Sequence, residues 1–393
     1  MLEEKELRKI AGEQGTPVFV FDLESLRERV AAMRKVANGK YHLCYSIKAN
    51  PFLIPEMVKL VDKLEVCSPG ELAICESLHV PAEMILYSGL NKTEEDIREA
   101  MTYGVGVFTA ESLKHMRLIS AEAVRQNKVV PVLPRLNACT QFGMAKDELL
   151  SIIDHPELYP NTEVVGIHYF VGTQRKNTRK QERELAFLKD LLKEIETQHG
   201  KKIERVEYGP GLSVSMFDKD DYSDTLAPLK NIQKELEDLG SVCDLTIEMG
   251  RFYATYCGSY ISKVMDLKSA EGVNYAIIDG GINHINYYGS MMGMNAPVIQ
   301  HFTNGNGTEK NWCICGSLCS INDIVVRQYD APLAEGDLLV FNNIGAYSVT
   351  EGIYLFLSRT MPKILLRNKE NDYIVARDFT ESSVLNTPQI EVK

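Results

Sequence analysis

An amine, a carboxylate, an arginine, a histidine and several glycine turns close apolar segments in this chain, and such positions are where chemistry can be built. Lys48 lies in "YHLCYSIKANP" (41–51), where Tyr41, Leu43, Tyr45 and Ile47 alternate with polar neighbours at the period of a strand until Asn50-Pro51 breaks the run. A lone lysine at a strand end is ordinarily a solvated surface group. Others stand at comparable places: Ser68 in "KLEVCSPGEL", Arg135 in "VVPVLPRLN", His168, Phe170 and Thr173 in "GIHYFVGTQ", Gly209 and Gly211 in "YGPGLS", and Glu248, Gly250 and Arg251 in "TIEMGR". An amine can form a Schiff base with an aldehyde. Glycine turns present backbone N–H groups to a phosphate dianion. A carboxylate can hold a heteroaromatic ring nitrogen protonated.

The elements that would position these groups can be counted. Eight short apolar segments recur: "YHLCYSIK", "KLEVCS", "EMILYSG", "GVGVFTA", "VVPVLPRLN", "EVVGIHYFVG", "IERVEYG" and "DLTIEMG". Amphipathic stretches separate them. "NTRKQERELAFLKDLLKEIETQHG" is one, with Leu185, Leu188, Leu191 and Leu192 at helical spacing. Eight such units over about 230 residues is the arithmetic of a (β/α)8 barrel. Periodicity alone does not separate that fold from a doubly wound sheet. After Arg251 short strands follow one another, punctuated by Gly, Asp and Asn, as in an all-β domain. "TPVFVFD" (16–22) lies outside the eight and is expected to join that domain. The expected class is therefore α/β: a (β/α)8 barrel over 25–253, and a β-domain made of 1–24 and 254–393. In such a barrel the strand C-termini form the reactive mouth.

Bulk properties narrow the function classes. With 393 residues, 45% hydrophobic and 25% charged, the chain has the composition of a globular protein of two domains. A net charge of −11 argues against a nucleic-acid partner. The opening "MLEEKELRKIAGEQG" is charged throughout, so neither a signal peptide nor a membrane anchor is expected. The expected location is cytoplasmic, with the nine cysteines reduced. Cys313, Cys315 and Cys319 do not have zinc-site spacing, and no metal is expected.

Amine, phosphate cradle and carboxylate together are what pyridoxal 5'-phosphate requires of a protein. From "GTPVFVFD" (15–22) to "GAYSVTEGIY" (345–354) the chain resembles the fold-type III pyridoxal-phosphate decarboxylases, the group of diaminopimelate and ornithine decarboxylases. The resemblance implies that Lys48 carries the internal aldimine and that Glu248 faces the pyridine nitrogen. It implies cofactor contacts from Ser68, Arg135, His168, Phe170, Thr173, Gly209, Gly211, Gly250 and Arg251. "CGSLCSIND" (315–323) resembles the segment that brings a catalytic cysteine across a dimer interface, here Cys319. "GAY" (345–347) resembles the motif whose tyrosine, here Tyr347, reaches the partner's cofactor phosphate. A homodimer with shared active sites follows from that resemblance. The implied course is decarboxylation through an external aldimine and a quinonoid, with Cys319 returning the proton.

Departures from the family pattern bear on the substrate. The family's second histidine in this strand stacks on the cofactor; here Phe170 replaces it. Ser320 stands where diamine enzymes place an acid after the cysteine. No arginine follows "DGG" in "INHINYYGSMMG" (282–293). Ser320, Asp323, Asn286 and Tyr287 are the expected substrate contacts. A charged tail left unpaired in a closed pocket costs roughly 1–3 kcal/mol, so the expected substrate is an amino acid or derivative with a modified or uncharged distal end, free or tethered to a carrier protein. The alternative is diaminopimelate. An alanine-racemase-like activity and a non-catalytic cofactor-binding protein are the remaining readings. Against the racemase, Lys48 leads into "ANPFL" instead of the racemase continuation.

Overall fold

The computed structural model describes residues 3–287 and 294–390. The chain divides into two compact units. One comprises 29–214 and 224–253; the other holds the chain up to Glu28, 215–223 and the chain from Ala254 onward. Residues 25–28 and 215–223, inside the span expected for the barrel, thus cluster with the β-domain; Phe217 bridges Pro297 there.

β1 (Val18–Asp22) belongs to the second unit. The first is a parallel barrel of β2 (His42–Ser46), β3 (Lys63–Val66), β4 (Ile85–Tyr87), β5 (Val107–Ala110), β6 (Val130–Pro134), β7 (Thr162–Val164), β8 (Gly166–Phe170), β9 (Arg205–Gly209) and β10 (Asp244–Met249). Their order is β7-β6-β5-β4-β3-β2-β10-β9-β8. Nine strands replace the eight expected because "EVVGIHYF" is two strands, not one. At the break, Val165 N–H turns to Val132 O at 3.1 Å. Arg135 then bridges His168, and Leu136 N–H donates to His168 O at 2.9 Å, so β6 meets β8 and the ring closes.

Helices follow the strands as the βα alternation requires. The longest, Thr178–His199, is capped by Asn177 and ended by Gly200 in the left-handed region; its Leu185, Leu188, Leu191 and Leu192 are buried, the face the spacing predicts. The inside of the barrel is not wholly apolar. Cys44, Glu65, His168, Glu207 and Glu248 are all buried on its strands.

The second unit is a mixed sheet ordered β15-β14-β12-β11-β1-β17-β18, with β13 and β16 joined to it through β11. Its further strands are β11 (Gly258–Ala270), β12 (Val273–Ile278), β13 (Ile299–Phe302), β14 (Thr308–Cys315), β15 (Ile324–Leu333), β16 (Leu338–Asn342), β17 (Lys363–Lys369) and β18 (Asp372–Arg377). β1 lies between β11 and β17, as expected for "TPVFVFD". The unit is not purely β: a helix, Glu4–Gln14, buries Leu7 and Ile10 against Val18, Val20, Ile261, Val340 and Leu365. Its few apolar positions among many charges hid it in the sequence. Residues 288–293 of the "INHINYYGSMMG" run lie outside the described residues. Among the described residues no helix is long and apolar enough to cross a membrane.

Leu7→Ala should lower the unfolding free energy by roughly 2–5 kcal/mol, because a fully buried leucine leaves a cavity the sheet cannot fill. A denaturant titration monitored by circular dichroism measures it; a loss under about 1 kcal/mol would show that the helix is not part of the core.

Candidate active site

Strand β2 stops at Ser46, so Lys48 is not the last strand residue. It stands on the 3-10 turn Ile47–Ala49, which Asn50 ends by donating its backbone N–H to Ile47 O, while its side chain accepts Phe52 N–H to cap the next turn, Pro51–Leu53. The turn takes Lys48 out of the strand alternation and carries its amine toward β3. There Lys48 Nζ lies 2.7 Å from Glu65 Oε2 and 3.3 Å from Cys67 Sγ, and Cys67 Sγ lies 3.1 Å from Glu65 Oε1. Glu65 is buried, whereas the Lys48 side chain is 40% exposed. Burial pushes the Glu65 carboxyl up, but the Lys48 ammonium beside it overrides that and holds it down at about 2. Burial drives the Cys67 thiol well above its ordinary range, and the Glu65 charge adds to this.

Ser68 caps the helix Pro69–Ser77 by accepting Glu71 N–H at 3.1 Å, while the Glu71 carboxylate accepts Cys67 N–H at 2.6 Å. This fixes the turn after β3. After β6, Arg135 is buried and paired with Glu111 at 2.7 Å. Its guanidinium lies 4.6 Å from the Phe142 ring and 5.6 Å from that of Phe170, and its Nε has no hydrogen-bond partner among the described residues. Lys92 is buried nearby, donating to Gly89 O and Thr109 Oγ1; burial pulls its amine down to about 8, against the pull of Glu111.

The glycine turns are shaped by contact. A Cβ on Gly209 would stand 2.2 Å from Phe170 Cδ2 and 2.9 Å from Glu248 Oε1, so the missing side chain is what lets phenyl ring and carboxylate approach across β9. Gly211 has φ +59° and abuts Gly172 O, at 1.8 Å from where its Cβ would be. The "VGTQ" and "GPGLS" turns are fastened together: Arg175 N–H donates to Gly211 O, and the Gln174 amide exchanges hydrogen bonds with both backbone groups of Val214. Gln181, from the long helix, donates to Pro210 O at 2.7 Å. Thr173 stands exposed on this pair of turns. Arg251 opens the short helix after Gly250 and is buried.

His168 does not reach the mouth. Its Nε2 meets Glu248 Oε2 at 3.0 Å, with both side chains buried. Sequence reasoning missed Glu65, Cys67, Glu111, Lys92 and Glu207. Glu65 stands two positions before Cys67, and Glu207 two positions before Gly209. That period-2 relation to the turns at the strand ends was the available signal.

The structure thus places Lys48, Ser68, Arg135, His168, Phe170, Thr173, Gly209, Gly211, Glu248, Gly250 and Arg251 in the barrel unit. Cys319, Ser320, Asp323, Asn286, Tyr287 and Tyr347 belong to the β-domain. Two of these are buried and hydrogen-bonded within the unit. Tyr287 is 1% exposed and donates to Asn342 O at 2.8 Å. Asp323 is 2% exposed, with one oxygen accepting Ile282 N–H and the other Leu318 N–H, so it shapes the loop bearing Cys319. Asn286 donates to Glu351, and Ser320 Oγ accepts Asn322 N–H at 3.3 Å. Cys319 is exposed. Tyr347 takes a positive φ of 69°, a strained conformation for a bulky residue.

Residues 23–255 match the family model described as "Pyridoxal-dependent decarboxylase, pyridoxal binding domain". The chain belongs to the pyridoxal-dependent decarboxylases. It is an enzyme of that class, acting on an amino acid with pyridoxal 5'-phosphate as cofactor. It is 25% identical to the L-glutamyl-[BtrI acyl-carrier protein] decarboxylase of Niallia circulans, over 98% of this chain and 96% of that protein. It is 24% identical to the diaminopimelate decarboxylase of Zymomonas mobilis, over 99% and 97%. The crystal structure of diaminopimelate decarboxylase from Helicobacter pylori complexed with L-lysine superposes with a TM-score of 0.84 at 18% identity, covering 96% of this chain and 98% of that one; at that identity it shows the fold. The residues present fit the cofactor: an amine on the partly exposed Lys48 side chain, a cradle at Gly209 that a Cβ would fill, and a buried Arg135 Nε without a partner among the described residues.

The Lys48–Glu65 pair gives the cofactor-free protein an acid limb. Glu65 has a folded pKa below its unfolded value, so its contribution to stability is full above the ordinary glutamate range and is lost as pH falls from about 4.5 toward about 2. Glu65→Gln should flatten that part of the stability–pH curve; an unchanged slope between pH 5 and pH 3 would remove Glu65 from this role.

Proposed function

We propose that this enzyme removes the α-carboxylate of an amino-acid derivative whose far end carries no free charge, such as an aminoacyl group held in an amide or a thioester. The observation that carries this is the fate of Asp323. It is the one acid in the segment 315–323, and backbone N–H groups occupy both its oxygens. Ser320, beside Cys319, offers only a hydroxyl. The cysteine segment therefore holds no free carboxylate for a distal ammonium. The whole-length likeness to a carrier-linked glutamyl decarboxylase supports the same reading. The second reading, diaminopimelate, is supported by the likeness to the Zymomonas mobilis enzyme.

When bound, pyridoxal 5'-phosphate supplies an electron sink for the charge left on the α-carbon as CO2 departs. In our assignment Lys48 holds its aldehyde carbon, Glu248 its ring nitrogen and Phe170 its ring face. Thr173, Gly209, Gly211, Gly250 and Arg251 hold its phosphate, with Ser68 and Arg135 closing the sides. Glu65 keeps the Lys48 amine oriented to the mouth. A fixed carboxylate in a water-poor barrel acts without reorganising as charge develops, and such preorganised groups contribute several kcal/mol. Cys319 returns a proton to the α-carbon as general acid. We assign Cys319 and Tyr347 to the neighbouring protomer's site in a two-fold dimer, and place the enzyme in the cytoplasm, consistent with nine free cysteines.

Release of CO2 should be measured across diaminopimelate, ornithine, arginine, lysine, acylated amino acids and an aminoacyl pantetheine thioester. Faster turnover of the amide or thioester substrates is expected; a clear preference for free diaminopimelate would establish the second reading. Lys48→Ala should abolish the visible absorbance of the bound cofactor. Cys319→Ala should retain that absorbance yet slow turnover or scramble the stereochemistry of protonation. Unaltered kinetics and product would remove Cys319 from its assigned place.

A further inference from the structure

We infer that His168 is a positioning residue for Glu248: it occupies one carboxylate oxygen from below, so that Glu248 can offer only the other to a ring nitrogen above Gly209. This rests on the assignment of Glu248 to the cofactor ring made above.

The geometry is specific. His168 Nε2 lies 3.0 Å from Glu248 Oε2, while Glu248 Oε1 is the atom that crowds the Cβ position of Gly209. The two oxygens thus face different neighbours. Both side chains are buried, at 1% and 4% exposure, so water does not compete for the bond. The other imidazole nitrogen, Nδ1, is buried and has no hydrogen-bond partner among the described residues. A hydrogen there would be a stranded donor, at a cost of roughly 1–3 kcal/mol. The proton therefore sits on Nε2, and His168 donates to Glu248.

The ring is also held in place from the backbone. His168 is paired with Glu207 in the β8–β9 ladder, bridges Arg135 on its other side, and accepts Leu136 N–H through its carbonyl at 2.9 Å. The arm that supports Glu248 is thus anchored at the seam where the barrel closes. Phe170, two residues on and on the same strand face, packs over Gly209. One strand would then steer two cofactor contacts, the phenyl ring directly and the carboxylate through the imidazole. Removing the imidazole frees Glu248 to rotate and leaves a buried carboxylate oxygen unpaired.

The experiment is titration of pyridoxal 5'-phosphate into the cofactor-stripped full-length protein, following both affinity and the absorbance band of the bound form. Wild type, His168→Leu, His168→Gln, His168→Asn, Glu248→Gln and the His168→Leu/Glu248→Gln double variant are compared. His168→Leu should weaken cofactor binding about 10-fold and shift the band, since bonds to charged groups carry that much. His168→Gln, whose amide nitrogen reaches the Nε2 position, should recover to within about 3-fold; His168→Asn, which reaches only the Nδ1 position, should not. In the Glu248→Gln background His168→Leu should add less than about 2-fold, because the histidine acts through that carboxylate. Wild-type behaviour of His168→Leu, or losses that multiply in the double variant, would overturn the inference. If His168→Leu does not fold, the Gln and Asn variants decide: equal affinities overturn it, and Gln-only recovery supports it. If Glu248→Gln alone leaves affinity and band unchanged, the assignment of Glu248 to the cofactor has failed, and the His168 inference falls with it by a separately visible route.

Discussion

Three glutamates from three strands, Glu65, Glu207 and Glu248, share the inside of one narrow barrel, and the rest of the site depends on how each is kept there. A buried charge without a partner costs several kcal/mol. Glu65 has the Lys48 ammonium at 2.7 Å. Glu248 has the imidazole of His168. For Glu207, burial, with the Glu248 charge adding to it, pushes the carboxyl well above the ordinary range, against the pull of a hydrogen bond with Cys44. One carboxyl is thus paired with a cation, one meets an imidazole, and one has its ionisation opposed by burial. Of these side chains, that of Lys48 stands 40% exposed.

Strands and turns divide the work in the assignment proposed above. The strands set the depth of each acid through the ladder; His168 stands level with Glu207 and Glu248 with Cys44. The turns then choose which atoms face outward. Gly209 and Gly211 do so by lacking a side chain, and Gln174, Gln181 and Ser68 do so by tying the turns down.

Much of the barrel was legible because strands covered on both faces read as short apolar runs, and the leucines of Thr178–His199 repeat at helical spacing. The break at Val165 was not legible, since "EVVGIHYF" alternates without a turn residue that would mark two strands. Nor was the helix Glu4–Gln14, whose buried stripe amounts to Leu7 and Ile10 with one buried acid, Glu6. In the candidate site, residue types near the strand ends singled out Lys48, Arg135 and Glu248, which the structure places in the barrel unit. Glu65 and Glu207 escaped because an acid inside an apolar run looks like a solvated face until the barrel closes round it. That Tyr287 and Asp323 are buried and hydrogen-bonded was not legible either, because proximity in a loop sequence does not say which way a side chain turns.

The two sulfurs beside this charged interior have a chemical consequence of their own. Cys44 and Cys67 are both driven far from ionisation, by burial first and by neighbouring carboxylates second. Attack on peroxides and alkylating reagents proceeds through the thiolate. Burial, with the neighbouring acids adding to it, therefore keeps both sulfurs in the thiol form, which reacts slowly with oxidants.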